Sequence, residues 1–225
     1  MSRSTRCKPA DVGRRYRRGV IRLWHGVIAV LAAFALIGQT ILTVDRDRSL
    51  VNLFSYFTVE SNLLVVVAAA LVAAQPDRGG TAFGILRLGS LVAITITGIV
   101  YATILAGNGA FTGIEWWYDK IFHYVVPVLS VIGFALFRPR TRLDRSALWF
   151  LVWPLAWLAY TLVRAGVSDP SYAVTSDRRA PVPYDFLDVD RHGGWAVAIA
   201  SLVVLLLALG LAWGYLRLSR HGISA

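Results

Sequence analysis

Six apolar runs, each about as long as the roughly 20 residues a helix needs to cross a bilayer, dominate this 225-residue chain. They are read as spans over Leu23–Val44, Leu53–Ala74, Leu86–Ala106, Trp116–Phe137, Ala147–Val167 and Trp195–Tyr215. Lipid offers no water to an exposed backbone group, so such runs must form helices or close into a barrel. Barrel strands would be short and alternating, a pattern this sequence lacks. The reading is an all-α integral membrane protein, with six transmembrane helices in one bundle over 23–217. A hydrophobic share of 56% excludes an ordinary soluble domain. The first run follows basic residues, as signal peptides do, but preamble and apolar core are both longer than a signal needs. It is therefore read as a retained span.

A net charge of +10 would suit a nucleic-acid binder, yet its distribution points elsewhere. Arg3, Arg6, Lys8, Arg14, Arg15, Arg17, Arg18 and Arg22 precede the first run, and Arg78 and Arg87 flank the second connection. Arg138, Arg140, Arg142 and Arg145 crowd the fourth, and Arg217 and Arg220 close the last span. The remaining connections hold most of the acids, Asp45, Asp47, Glu115, Asp119, Asp169, Asp177, Asp185, Asp188 and Asp190 among them. That alternation follows the positive-inside rule and predicts cytoplasmic termini: a basic tail over 1–22 and a short end over 218–225. A multi-pass protein of the plasma (cytoplasmic) membrane follows, with membrane lipids rather than nucleic acid as partners of the basic tail. Trp116, Trp117, Tyr118 and Trp195 are expected in an outer aromatic belt, and Trp213 and Tyr215 in an inner one. Cys7 is the only cysteine, which rules out an internal disulfide and any thiolate cluster. The one long connection, the extracellular loop 168–194, contains "VPYDFL". It is too apolar for a free linker and is expected to dip back and cap the bundle. No repeat or inverted pair of broken helices marks a secondary transporter.

The second span opens with "YFTVESN" before "LLVVVAAALVAA", an expensive row of side chains for a lipid-crossing helix. Spacings of three and four put Asn52, Ser55, Thr58 and Asn62 on one stripe, with Glu60 about 200° around from Thr58. Such residues either glue helices together or line a cavity, and a carboxylate within a span is a functional candidate by default. The fourth span enters through "WWYDKIFHYVVPV". Asp119 lies four residues before His123, where its carboxylate can fix the imidazole tautomer. Pro127, four residues after, deprives the His123 carbonyl of its helical donor and should open the helix there. His123 reads either as a structural hydrogen-bond partner between helices or as a base. Arg164 ends the fifth span, either snorkelling to headgroups, pairing with Glu60 or gripping a substrate carboxylate.

A hydroxyl becomes a useful nucleophile beside a base, and Thr58 with His123 is the available pair. A dyad within a membrane would meet a lipid-soluble ester. The Asn62 amide or the Tyr184 hydroxyl is placed to donate to a developing oxyanion. Glu60 and Arg164 would set the electrostatics of the mouth, with Tyr184 and Asp185 in the covering loop. One intramembrane His and scattered acids make no metal-ligand set, and no cofactor is implied.

"FSYFTVESNLL", "DKIFHYVVPVL", "AYTLVRAG" and "VPYDFLDV" followed by Gly-Trp resemble, in order, the signature blocks of the Pr-six-Pr family of bacterial six-span membrane proteins. The likeness runs from about Leu50 to Trp195. More distantly the chain is similar to the androgen-induced and androgen-dependent transmembrane proteins of animals, regarded as threonine hydrolases of fatty acid esters of hydroxy fatty acids. The resemblance implies that Thr58 is the nucleophile and His123 its partner. The chain departs from the bacterial pattern at Glu60, where Gln is usual, and at Asp185, where an apolar residue or Pro is expected. The expected function is intramembrane hydrolysis of lipid esters. Its rivals are a small-molecule or proton-coupled carrier and a non-catalytic lipid-binding or assembly protein.

Overall fold

The computed structural model describes residues 9–107, 111–137, 143–175 and 177–220. Cys7, the basic residues Arg3, Arg6, Lys8, Arg138, Arg140 and Arg142, and the chain end from His221 onward lie outside the described residues. Six helical spans, each long and apolar enough to cross a membrane, make this an all-α, multi-pass membrane fold. Helix α1 (Pro9–Asp45) takes in the basic segment from Pro9 onward. A short α2 (Leu50–Phe54) precedes α3 (Phe57–Ala74), and α4 (Thr81–Val100) runs on into a π turn over Tyr101–Leu105. The fourth span is composite: α5 (Ile114–Lys120), a π turn over Ile121–Val125, then α6 (Val126–Leu136). A 3-10 turn over Arg145–Leu151 leads into α7 (Val152–Ser168). After a small hairpin, β1 (Tyr172–Ala173) with β2 (Arg179–Ala180), and one turn of helix, α8 (Val189–His192), the chain returns through α9 (Gly194–Arg220).

Helix α4 is the most enclosed span, and α7 and α9 are the least. Large apolar side chains such as Val30, Ile37, Leu136, Val163 and Leu206 are exposed around the bundle, as lipid-facing positions should be. Glycines let the helices close up. An added methyl at Gly98 would come within 3.0 Å of the Pro127 ring and 3.4 Å of the His123 carbonyl, so α4 closely meets the second π turn and the start of α6. Gly98→Val should force these elements apart and cost about 1–3 kcal/mol, read as a lowered Tm in detergent.

Two ends of the bundle are distinct. Arg18 pairs with Asp77, and Ser219 Oγ reaches Leu143 O at 3.5 Å, which gathers the α1 start, the α3–α4 connection and the α9 end. The opposite end is covered by residues 169–175 and 177–193, the cap, whose Tyr172, Val174, Ala180, Val182 and Leu187 form a buried cluster with Val197.

Several expectations need correction. The second span is not one helix, because Trp157 Nε1 donates to Ser55 O (3.0 Å) and occupies the carbonyl that would have continued it. Val59 N instead bonds Tyr56 O, Tyr56 turns extended, and α3 begins afresh at Phe57. Asn52 and Ser55 therefore do not share a helical stripe with Thr58 and Asn62. Arg87 does not flank a connection; it is 5% exposed within α4, its guanidinium over the Phe134 ring and 3.1 Å from His25 Nε2. His25 is buried beside it. Of the belt residues, Trp116, Trp117, Trp195 and Trp213 are exposed, but Tyr118 packs on α1 beside Gly38, and Tyr215 is buried with its hydroxyl 2.8 Å from Thr95 Oγ1.

Candidate functional site

The helix break makes Thr58 the second residue of α3, where backbone N–H groups have no intrahelical acceptor. Its N–H donates instead to the Tyr184 hydroxyl of the cap at 3.2 Å. The Thr58 hydroxyl, in a residue 8% exposed, lies 3.2 Å from His123 Nε2 and 3.3 Å from the Tyr184 hydroxyl. Two spans distant in sequence thus bring hydroxyl and imidazole into bonding reach.

The imidazole is fixed from behind. His123 Nδ1 is 2.9 Å from Asp119 O and 3.0 Å from Asp119 Oδ1. Both are acceptors, so Nδ1 carries the proton and Nε2 offers its lone pair to Thr58. Asp119 is held in turn by Tyr101 Oη at 2.5 Å and Lys120 Nζ at 2.9 Å, both on Oδ2. The Tyr101 ring stacks on His123 with centroids 3.9 Å apart and planes 16° from parallel. Both π turns serve this arrangement: one presents Tyr101, the other His123. Pro127 explains the second, since it has no N–H for the preceding turn and the chain widens there. Asp119→Asn should keep the ring in place through the Asp119 carbonyl. It should still lower turnover by about 10²-fold, because the amide stabilises an imidazolium poorly, measurable as a kcat loss with KM little changed.

The cap supplies Tyr184. Burial pushes its phenol up to about 12, against hydrogen bonds from Thr58 that pull it down. It remains a proton donor through the neutral range. Its ring is edge-on to Tyr56 and stacks on Phe186.

The other expected residues lie nearby in different roles. Asn62 is fully buried, but its amide N–H groups go to Thr58 O (2.9 Å) and Phe122 O (3.5 Å). They are spoken for, so the expected oxyanion donor is a clasp between α3 and the π turn. Glu60 accepts from Trp153 Nε1 at 2.9 Å and does not meet Arg164. Arg164 contacts Asn52 Oδ1 (2.7 Å), Ser55 Oγ (3.3 Å) and the Tyr172 hydroxyl, tying α7 and the cap to α2. Asp185 faces Arg178, Arg191 and His192 inside the cap, so its charge is balanced there. Among the described residues no group of three or more His, Cys, Asp or Glu side chains is placed to hold a metal ion.

Sequence reasoning missed Tyr101, Lys120, Trp153 and Trp157. Tyr101 and Lys120 stand near span ends, where an aromatic or a lysine reads as an interfacial anchor, and Trp153 and Trp157 lie inside the fifth span, where an indole reads as ordinary apolar packing. Only the π turns and the broken second span bring them inward. From Thr58 an apolar cleft runs between α4, α7 and α9, walled by Phe57, Val100, Trp157 and Leu158 near the cap. The site therefore joins a hydroxyl, an oriented imidazole, a buried phenol and an apolar cleft. Comparison with models of protein families, with curated proteins and with solved structures finds none that matches this chain.

Proposed function

We propose that the chain is an intramembrane hydrolase of lipid esters in the plasma membrane, with Thr58 as nucleophile and His123 as general base. The observation that carries this reading is the relay from Thr58 Oγ1 through His123 Nε2 and Nδ1 to Asp119, at 3.2 and 3.0 Å. It lies at the mouth of an apolar cleft. Thr58 Oγ attacks the ester carbon and passes its proton to Nε2. The imidazolium is stabilised by Asp119, and the carbonyl oxygen, now an oxyanion, accepts from the Tyr184 hydroxyl. Collapse breaks the carbon–oxygen bond to the alcohol, which leaves with the proton from His123. Water then attacks the acyl-threonine, giving a proton to His123. The second collapse releases the acid and returns that proton to Thr58 Oγ.

The resemblance to the Pr-six-Pr proteins and to the threonine hydrolases assigns the same two residues, and fatty acid esters of hydroxy fatty acids are the substrates it suggests. The distribution of arginine and lysine orients the protein with both termini inside and the cap outside. A carrier reading would want polar groups from one end to the other. Between the Ser61–Thr97 pair and the Arg87–His25 pair stand Val65, Ile94 and Val126, buried together in one apolar cluster. The reading is tested by hydrolysis of a long-chain aryl ester by the purified protein, with Thr58→Ala and His123→Ala as controls of equal expression.

A further inference from the structure

The apolar cleft has a closed floor, and its depth is that of a medium-length alkyl chain. Thr58 lies one turn toward the cap from Ser61, whose hydroxyl meets Thr97 at 2.9 Å, so the reacting end stands near the level of Val100. From there the lining descends along α4 to Val92, a distance of about 12 Å at about 1.5 Å per residue. An extended chain built from bonds of about 1.5 Å advances roughly 1.25 Å per carbon, so about ten carbons fill that depth.

Val92, Phe150 and Ala208 close the bottom, packed into a buried cluster with Leu88 and Tyr215. Phe150 is seated on Gly89, where an added methyl would come within 3.2 Å of its Cβ. The polar lining residues, Thr58, Tyr184, Thr97 and Ser201, all lie toward the cap. One side is incomplete: Leu155 lines the cleft and is nevertheless 51% exposed, on α7, one of the two least enclosed spans.

We infer that this cleft is an acyl-chain ruler: it holds the first ten or so carbons of the acyl group between Thr58 and the Phe150 floor. Longer chains leave sideways past Leu155 into lipid. The inference rests on the proposed hydrolase reading for which end of the chain lies at Thr58. Ala93, which lines the lower half, and Ala208, at the floor, set the depth. A phenyl group at Ala93 spans about 5 Å, the length of roughly four carbons.

Two experiments on the full-length protein in nanodiscs test it separately from hydrolysis. Alkyl methyl ketones, not hydrolysable, carry a diazirine at about the fourth or about the tenth carbon, and photolabelled residues are mapped by mass spectrometry. The distal diazirine should mark Val92, Phe150 or Ala208, and Ala93→Phe should cut that labelling about tenfold while the proximal probe still labels near Trp157. Ala208→Leu, from another helix, should give a smaller loss in the same direction and guards against a folding defect in one variant. With esters, Ala93→Phe should lower kcat/KM for a ten-carbon acyl group about tenfold relative to a four-carbon one. Depth-dependent labelling without ester turnover would support the ruler and sink the hydrolase. Turnover with labelling confined to lipid-facing residues, or with both chain lengths affected alike, would overturn the ruler and spare the hydrolase.

Discussion

Thr58→Ala is expected to abolish ester hydrolysis, lowering kcat by at least about 10³-fold, and His123→Ala should do nearly the same. The two effects should not add, since hydroxyl and imidazole act as one unit: the double variant should be little slower than either single one. Thr58→Ser keeps the oxygen and should retain much of the rate. Neither alanine change should unfold the chain. Thr58 loses one methyl and one hydroxyl, and α3 remains held to the π turn by Asn62. Equal yield, an unchanged Tm and lost turnover together are the expected result in a purified-protein assay.

The second large effect is expected at Tyr184. Tyr184→Phe keeps the ring stacked on Phe186 and edge-on to Tyr56 but removes the phenol hydroxyl that lies 3.3 Å from Thr58 Oγ1. Loss of one oxyanion donor costs about 10²–10³-fold in kcat, with KM little altered. Because burial holds the phenol up at about 12, it stays protonated at any ordinary assay pH. The fold-loss should therefore be the same from about pH 6 to about pH 10. A loss that vanished on the alkaline side would mean that Tyr184 acts by titrating, and the donor role would be wrong.

Much of this was legible in the chain itself, and the reasons are local. Span positions follow from apolar length, and the Asp119–His123 contact follows from a spacing of four on a helix. Thr58 and His123 sit at similar depths in two spans that run in the same direction, which makes them a natural pair. What could not be read depends on contacts across the bundle. The break at Ser55–Tyr56 arises because Trp157, 102 positions away, takes the Ser55 carbonyl. That break gives Thr58 its place at a helix start, and no periodicity in "YFTVESN" announces it. Pro127 signalled a disturbed helix, but not that α4 would open in the same way and lay Tyr101 on the imidazole. Asn62 looked free to donate because its carbonyl partners belong to the fold rather than to its neighbours in sequence. Arg164 and Glu60 looked like partners by charge alone, and each found a neutral donor or acceptor instead.

The central claim is that the Thr58 oxygen is made nucleophilic by His123, and covalent trapping tests it most directly. Protein treated with a long-chain alkyl fluorophosphonate or a slow aryl ester should gain one adduct by intact mass, mapping to Thr58. It should be lost in Thr58→Ala and slowed by at least about 10²-fold in His123→Ala. An adduct on another residue, or labelling of Thr58 at the same rate without His123, would contradict it.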